Sequence, residues 1–265
     1  MMENAMPAQS SSDPYIELRC AFDPEKMNAY SSFLSDVAKD KVVCDLGTGC
    51  GALAYLALYH GAKKVICVDI NESALKRASE LLKDHNAEFM HANLLTDDVP
   101  EADIYIHEIY GNLLYDEKIS VIYENLKRQG KADKCFPSTG RIFSYQRDDL
   151  SIDRYTYDKD DFDSATQSYH SLLTEDERNI GSRTIMNARC YNYAEEKVLE
   201  AFDLSVDKPT RYIYNIVNLV NQWGWEVTFP NGESFTNIPR HGNNWYLPEQ
   251  MPDESIMTRI RRGHI

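Results

Sequence analysis

KVVCDLGTGCGALAYLALYHGAKKVICVD, residues 41–69, contains the pattern that decides the fold. Val42, Val43, Cys44 and Leu46 form a short apolar run of the kind that a strand buried on both faces requires. The run ends in Gly47, Gly49 and Gly51, and an Ala/Leu-rich helix follows at once. A second apolar run, Val65 to Val68, closes on Asp69. Strand, glycine turn, helix, strand and acid make a βαβ unit whose ligand lies at the carboxyl ends of the strands. The glycines let the backbone approach that ligand closely, and an acid ending the second strand can accept from both hydroxyls of a ribose. The alternating glycines differ from the spacing of a dehydrogenase fingerprint.

Bulk properties narrow the class. A chain of 265 residues with 43% apolar content is long enough for one large domain, or for one with a smaller appendage. No window approaches the roughly 18 uninterrupted apolar residues of a membrane span, and the first residues lack a basic-then-apolar signal. Cys20, Cys44, Cys50, Cys67, Cys135 and Cys190 show no C-x-x-C pairing. They read as reduced thiols of a cytoplasmic protein without structural zinc, so no metal site is expected. The 28 basic and 42 acidic residues leave a net charge of −14, which repels nucleic acid and suits a cationic substrate. The same acidity also serves as an ordinary solvated surface.

Residues 1–13 are small, polar and Ser-rich, the composition of a disordered terminus. From Tyr15 to Ala38, Phe22, Met27, Tyr30, Phe33 and Leu34 recur at helical spacing. Asn71 is a good N-cap for a helix from Glu72 to about His85. Phe89 to Ala92 reads as a third strand ending at Asn93, and Ala102 to Ile106 as a fourth. A helix from Lys118 to about Arg128 follows, then a turn signal at Ser138-Thr139-Gly140 and a strand from Arg141 to Tyr145. Residues 14–145 thus form an α/β, Rossmann-like doubly wound sheet. Beyond Gln146 the chain is rich in Tyr, Asp, Asn and Thr. Alternating stretches at Tyr212–Val220, Trp225–Phe229 and Ile256–Ile260 predict a smaller β-rich, barrel-like domain over 146–265. A helical insertion around Thr174 to Glu200 also fits.

D-L-G-T-G-C-G, preceded by a strand and followed by Asp69, resembles the first signature of class I methyltransferases that use S-adenosyl-L-methionine (SAM). More specifically, E-I-Y-G-N-L-L-Y-D-E over Glu108 to Glu117 is similar to the double-glutamate loop of the protein arginine methyltransferases, E-W-M-G-Y-x-L-L-x-E. GAKKVICVD is similar to that family's GAKKVIGVD, and Ser234 to Trp245 loosely resembles the segment leading into its Thr-His-Trp loop. The resemblance covers residues 41–140 well and the remainder faintly. It implies that SAM lies against Asp45, Gly47, Thr48, Gly49, Gly51, Asp69, Ile70, Asn93, Leu94 and Glu108, with S-adenosyl-L-homocysteine as product.

It further implies that Glu108 and Glu117 are catalytic and clamp a guanidinium, helped by Tyr110, His241 and Trp245, and that the chain forms a homodimer. Paired charged hydrogen bonds from a planar guanidinium satisfy two converging carboxylates, which otherwise resist joint ionisation. In another reading of the residues, Glu117 opens the next helix and Glu108 meets a core arginine. His107, Trp223 and Trp225 read as packing residues.

The sequence departs from the family in places. Trp-Met becomes Ile109-Tyr110, and Thr-His-Trp becomes Asn243-Asn244-Trp245, with His241 three residues before the missing histidine. The arginine of the family's leading helix has no match over Met27-Asn28-Ala29-Tyr30. The short second half leans toward a small or peptidic guanidine. Two other functions stay open: SAM-dependent methylation of an amine, hydroxyl or carbon in a small metabolite, and a non-catalytic binding module on the same fold.

Overall fold

The computed structural model describes residues 17, 23–111, 114–115, 117–155, 188–206 and 223–237. A helix α1 (Pro24–Val37) leads into a parallel sheet built from β1 (Val42–Leu46), β2 (Lys64–Asp69), β3 (Ala87–His91), β4 (Ile104–His107) and β5 (Cys135–Phe136). The strand order is β3-β2-β1-β4-β5. Helices α2 (Ala52–Tyr59), α3 (Glu72–Leu81) and α4 (Ile119–Arg128) connect the strands. The chain then enters an antiparallel sheet of β6 (Thr139–Tyr155), β7 (Ala188–Asp203), β8 (Trp223–Thr228) and β9 (Ser234–Thr236), ordered β7-β6-β8-β9.

The local chemistry explains these elements. β1 lies between β2 and β4, and Val43 to Leu46 are buried, as a central parallel strand demands. α2 follows β1 after the glycine turn, and Ala52 to Ala57 are all buried against the core. Asp23 caps α1 through a bond from Lys26 N at 3.2 Å, with Pro24 opening the helix. Asn71 caps α3 as expected, accepting from Ser73 N and Ala74 N at 3.0 and 3.4 Å. The apolar positions anticipated in the leading helix, Met27, Tyr30, Phe33 and Leu34, are core residues. The thiols of Cys44, Cys50, Cys67 and Cys135 are unpaired and buried, and burial pushes those of Cys50, Cys67 and Cys135 up to about 12. No helix among the described residues is long and apolar enough to cross a membrane.

The structure corrects several expectations. α3 stops at Leu81, and His85 N bonds back to Leu82 O as the chain turns toward β3. β4 starts at Ile104, because Ala102 N is taken by the Tyr105 hydroxyl and Asp103 caps Val42 N. Thr139 and Gly140 are not a turn: they begin β6, where Gly140 pairs with both Phe202 and Val227. Glycine is required there by contact, since a Cβ would lie 2.3 Å from Glu226 O and 2.5 Å from Phe202 Cζ.

The anticipated boundary at 145/146 falls inside β6, and the change of sheet comes at Pro137-Ser138, between β5 and β6. Residues 188–200 are strand rather than helix, paired along β6 through three register shifts. The expected strands at 212–220 and 256–260 and the N-terminal residues 1–13 lie outside the described residues.

Candidate active site

The parallel register builds the site. Leu46 pairs with Val68 on one side and with His107 on the other, so Gly47, Asp69 and Glu108 all leave the same carboxyl edge of the sheet. That edge is where open α/β sheets place ligands. Gly47, Gly49 and Gly51 adopt left-handed φ values of 71°, 52° and 87°. They let the turn fold back on β2: Gly47 N and Thr48 N donate to Val68 O at 2.8 and 3.1 Å. A Cβ at Gly51 would meet Ala78 Cβ at 3.1 Å, and one at Gly47 would meet Ile109 Cδ1 at 3.2 Å. The glycine turn therefore touches the loop that carries Glu108.

Asp69 is oriented by two backbone donors, Gly49 N to Oδ2 at 2.9 Å and Asn71 N to Oδ1 at 2.8 Å. Each carboxylate oxygen keeps a second acceptor position. Asp45 has a different task from the direct contact expected of it. It is buried, and its Oδ2 accepts from Thr48 Oγ1 at 2.7 Å and Ala54 N at 3.1 Å, bracing the turn from below. Burial raises its carboxyl to about 7, against the lowering effect of those two bonds. Thr48 is buried in the same brace.

The rest of the expected cofactor set divides. Ile70 stands exposed beside Asp69, as a wall for a flat ligand would. Asn93 turns its Oδ1 onto Leu95 N at 3.0 Å, and its own N–H donates to Asp97 Oδ2 at 2.9 Å. Leu94 is core, with its carbonyl accepting from Asn125 Nδ2. Asn93 and Leu94 thus shape a turn, where the resemblance had implied that they face the cofactor.

In the acidic loop, Glu108 is partly buried and its Oε1 lies 2.6 Å from Lys26 Nζ. Glu117 stands exposed in the turn before α4. The two carboxylates therefore occupy different surroundings in this structure. Gly111 and Leu114 bridge to reverse the chain, and Leu114 and Lys118 take left-handed φ values of 66° and 62°. Left-handed non-glycine residues of this kind cost energy and cluster at working loops.

Tyr110 does not line a substrate mouth. It is buried, its hydroxyl donates to Pro137 O at 2.5 Å, and its ring packs 5.6 Å from Trp225. His107 is buried between Tyr123 and Pro137 O, and burial lowers its ring to about 4. It is a neutral packing residue at neutral pH. His241 and Trp245 lie outside the described residues.

Two contributors, Lys26 and Glu17, escaped the sequence reading, and a third, Tyr30, was read only as an apolar position of the leading helix. Lys26, one residue before the stretch compared with the family, reaches Glu108 from the first turn of α1. Tyr30, one turn later, donates its hydroxyl to the carbonyl of His107 and so fastens the helix to the end of β4. Glu17 lies against Gly49, whose Cβ would meet Glu17 Cγ at 3.3 Å. The i, i+4 spacing of Lys26 and Tyr30 is the one signal that could have exposed the roles of these two.

With this geometry in place, comparison with known proteins is informative. Residues 27–158 match the family model for ribosomal protein L11 methyltransferase (PrmA). The histone-arginine methyltransferase CARMER of Drosophila ananassae is 26% identical over 191 residues, covering 68% of this chain and 34% of its own length. The probable histone-arginine methyltransferase CARMER of Drosophila melanogaster is 25% identical over the same length, with the same coverage. The chain thus spans about a third of the length of the curated relatives it matches.

Among solved structures, the Trypanosoma brucei PRMT1 enzyme-prozyme heterotetrameric complex with AdoHcy superposes with a TM-score of 0.52 at 20% identity, over 83% of this chain and 75% of that one. Arabidopsis thaliana protein arginine methyltransferase 10 gives a TM-score of 0.52 at 17% identity, over 86% and 79%. The fold is that of the class I SAM-dependent methyltransferases. Within that class, the chain resembles the protein arginine methyltransferases in having an antiparallel sheet after the parallel one.

Proposed function

We propose that the chain transfers a methyl group from SAM to a guanidino nitrogen of arginine, free, peptidic or protein-bound, or of a related guanidine. The observation that carries this reading is the shared sheet edge. Leu46 pairs with both Val68 and His107, which puts the glycine turn, Asp69 and Glu108 side by side.

The residues present fit SAM. Left-handed glycines open the turn, and Asp69 is held by Gly49 N and Asn71 N with acceptor capacity to spare for a ribose. Bound there, SAM supplies an electrophilic methyl on a sulfonium. Glu108, next to Ile109 and hence to Gly47, holds the acceptor at the turn. Glu117 approaches from the exposed end of the loop to take the second face of the guanidinium. Together they draw the positive charge to the far nitrogens and leave the attacking lone pair available, so positioning and electrostatics supply most of the acceleration. The proton of the methylated nitrogen would pass to the Glu108 or Glu117 carboxylate, and from there to water, as the new bond forms, and no strong base is required of His107.

Labelled SAM offered with free arginine, an arginine peptide and a lysine peptide tests the reading. Label on an arginine acceptor, lost by about a hundredfold or more in Glu108→Gln with SAM affinity kept, is the expected result. Silence on both arginine acceptors, with SAM still bound, refutes it.

One observation favours a second reading. Glu108 holds a primary ammonium in this structure, that of Lys26, so an amine acceptor also suits the site. Label on the lysine peptide alone selects it. A homodimer, expected from the resemblance, belongs to the same proposal, and light scattering of the full chain tests it.

A further inference from the structure

We infer that Asn125, in the last turn of α4, is a positioning residue for the cofactor: it fixes the turn over residues 93–97 at the rim that receives the base of SAM. The inference concerns the cofactor site and holds for any methyl acceptor.

Strand order locates that rim. The glycine turn after β1 and Glu108 after β4 lie on one side of Asp69, and β3 lies on the other. A methyl donor aimed at Glu108, with its ribose on Asp69, has the β3 side left for its base. There Asp69 pairs with His91, and Ala92 N donates to Asp69 O at 3.0 Å. The chain therefore enters the turn directly beside the ribose acid.

Local bonds give the turn its shape: Thr96 N and Asp97 N donate to Asn93 O at 3.0 and 2.8 Å. Its place is set from α4. Asn125 Nδ2 donates to Leu94 O and to Asp97 O, both at 2.9 Å, across 31 and 28 positions of sequence. Arg128 Nη2 donates to Thr96 O at 3.3 Å, and Gln129 Nε2 to Asp97 O at 3.4 Å.

Asn125 is 6% exposed, and an amide buried to this degree is costly unless its two donors and two lone pairs are used. They are all used. Its Oδ1 accepts from Arg128 Nη2 at 2.6 Å and from Gln129 Nε2 at 3.2 Å, so the amide has one orientation. The helix is seated apart from the turn. Ile119, Ile122, Tyr123 and Leu126 are buried, and the Tyr123 hydroxyl donates to Cys135 O of β5 at 3.0 Å. α4 is thus the fixed post, and the turn is what it places.

The test is calorimetric titration of S-adenosyl-L-homocysteine into the full chain, and of 5′-methylthioadenosine, which keeps base and ribose but lacks the amino acid. Asn125→Asp sets a carboxylate against both carbonyls, and Asn125→Ala leaves them without their donor. Each is expected to bind both ligands at least about tenfold more weakly, the scale of a buried polar group left unsatisfied. Arg128→Ala, at an exposed side chain, should weaken both by roughly threefold, as loss of one modest hydrogen bond allows. Ile122→Val removes one methyl group from the same helix and no polar bond. It should lower the melting temperature and leave both affinities unchanged.

A merely structural Asn125 would lower the melting temperature or the fraction of binding-competent chains and leave the affinity of those chains intact, which overturns the inference. Weakened S-adenosyl-L-homocysteine with unaltered methylthioadenosine overturns it as well, since the effect would then lie at the amino-acid end. If neither Asn125 variant folds, unchanged affinity in Arg128→Ala decides against it. Wild type that binds neither ligand refutes the cofactor site itself, and the inference falls with it.

Discussion

Arg77 and Glu17, sixty positions apart, meet in a two-pronged ion pair, Nε to Oε2 at 3.1 Å and Nη2 to Oε1 at 2.5 Å. The arginine side chain is 2% exposed and the glutamate 15%. Such a pair gains little over an apolar replacement of both partners, but removing one partner breaks a buried ion pair and leaves the other charge less well compensated. Here the carboxylate also lies against Gly49, so the pair ties the glycine turn to α3.

Glu17→Ala is therefore expected to cost about 3 kcal/mol of stability, the usual loss on breaking a buried ion pair. Chemical denaturation reads the cost directly. Replacing Glu17 and Arg77 together by Leu and Met should recover most of it, and a double variant as unstable as the single one would refute the assignment.

Asp45 gives the fold a pH dependence with a definite sign. Its carboxyl is raised by burial to about 7. The stability it contributes is complete below about 4, the unfolded value, and is lost as pH rises through 7. A gap of about three pH units corresponds to roughly 4 kcal/mol. Asp45→Asn should lower stability by a constant amount through its altered bonds to Thr48 and Ala54, and should remove this slope. Denaturant midpoints of both proteins at pH 5 and pH 8 check it, and parallel slopes would refute it.

Gly51→Ala should separate the turn from the rest of the fold. The residue has φ 87°, and an added Cβ would press on Ala78 at 3.1 Å. A left-handed alanine costs about 1–2 kcal/mol, and displacement of α3 adds to that. Stability should fall by roughly 2 kcal/mol, and binding of S-adenosyl-L-homocysteine should weaken at least as much, as calorimetry would show.

Gly140→Ala should be far worse. The new methyl would coincide with Glu226 O and the Phe202 ring, and backbone in a paired strand cannot yield cheaply. A loss of about 3 kcal/mol or more is expected from overpacking of this degree, read as a lowered melting temperature. An alanine variant of wild-type stability would contradict the β6–β7–β8 arrangement.

The parallel sheet and its glycine turn were legible because a buried parallel strand must be apolar throughout and a turn of this kind must contain glycine. Asp69 was legible for a related reason, as an acid ending an apolar run. Asp45 was visible as a residue but not as a brace, since its partners Thr48 and Ala54 show no pattern in the sequence.

Tyr110 was misread because its hydroxyl finds Pro137 O, 27 positions away, and sequence spacing carries no trace of that bond. Arg77 could have been noticed: it lies beside the stripe of Ala74, Ala78 and Leu81, and a buried arginine requires an acid somewhere. Which acid it takes was not readable. Gly140 looked like a turn residue because a glycine excluded by contact and a glycine freed by φ are the same letter.

The four buried thiols among the described residues offer a clock built into the chain. Cys44, Cys67 and Cys135 sit in β1, β2 and β5, and Cys50 sits in the glycine turn. A thiol-reactive reagent can reach the first three only when the parallel sheet itself comes apart, whereas Cys50 needs only the turn to open. With mass spectrometry assigning each label, the rate at Cys50 times the breathing of the turn and the rate at Cys44 times global unfolding. The unmodified protein thus carries separate timers for the opening of the glycine turn and for the loss of the fold.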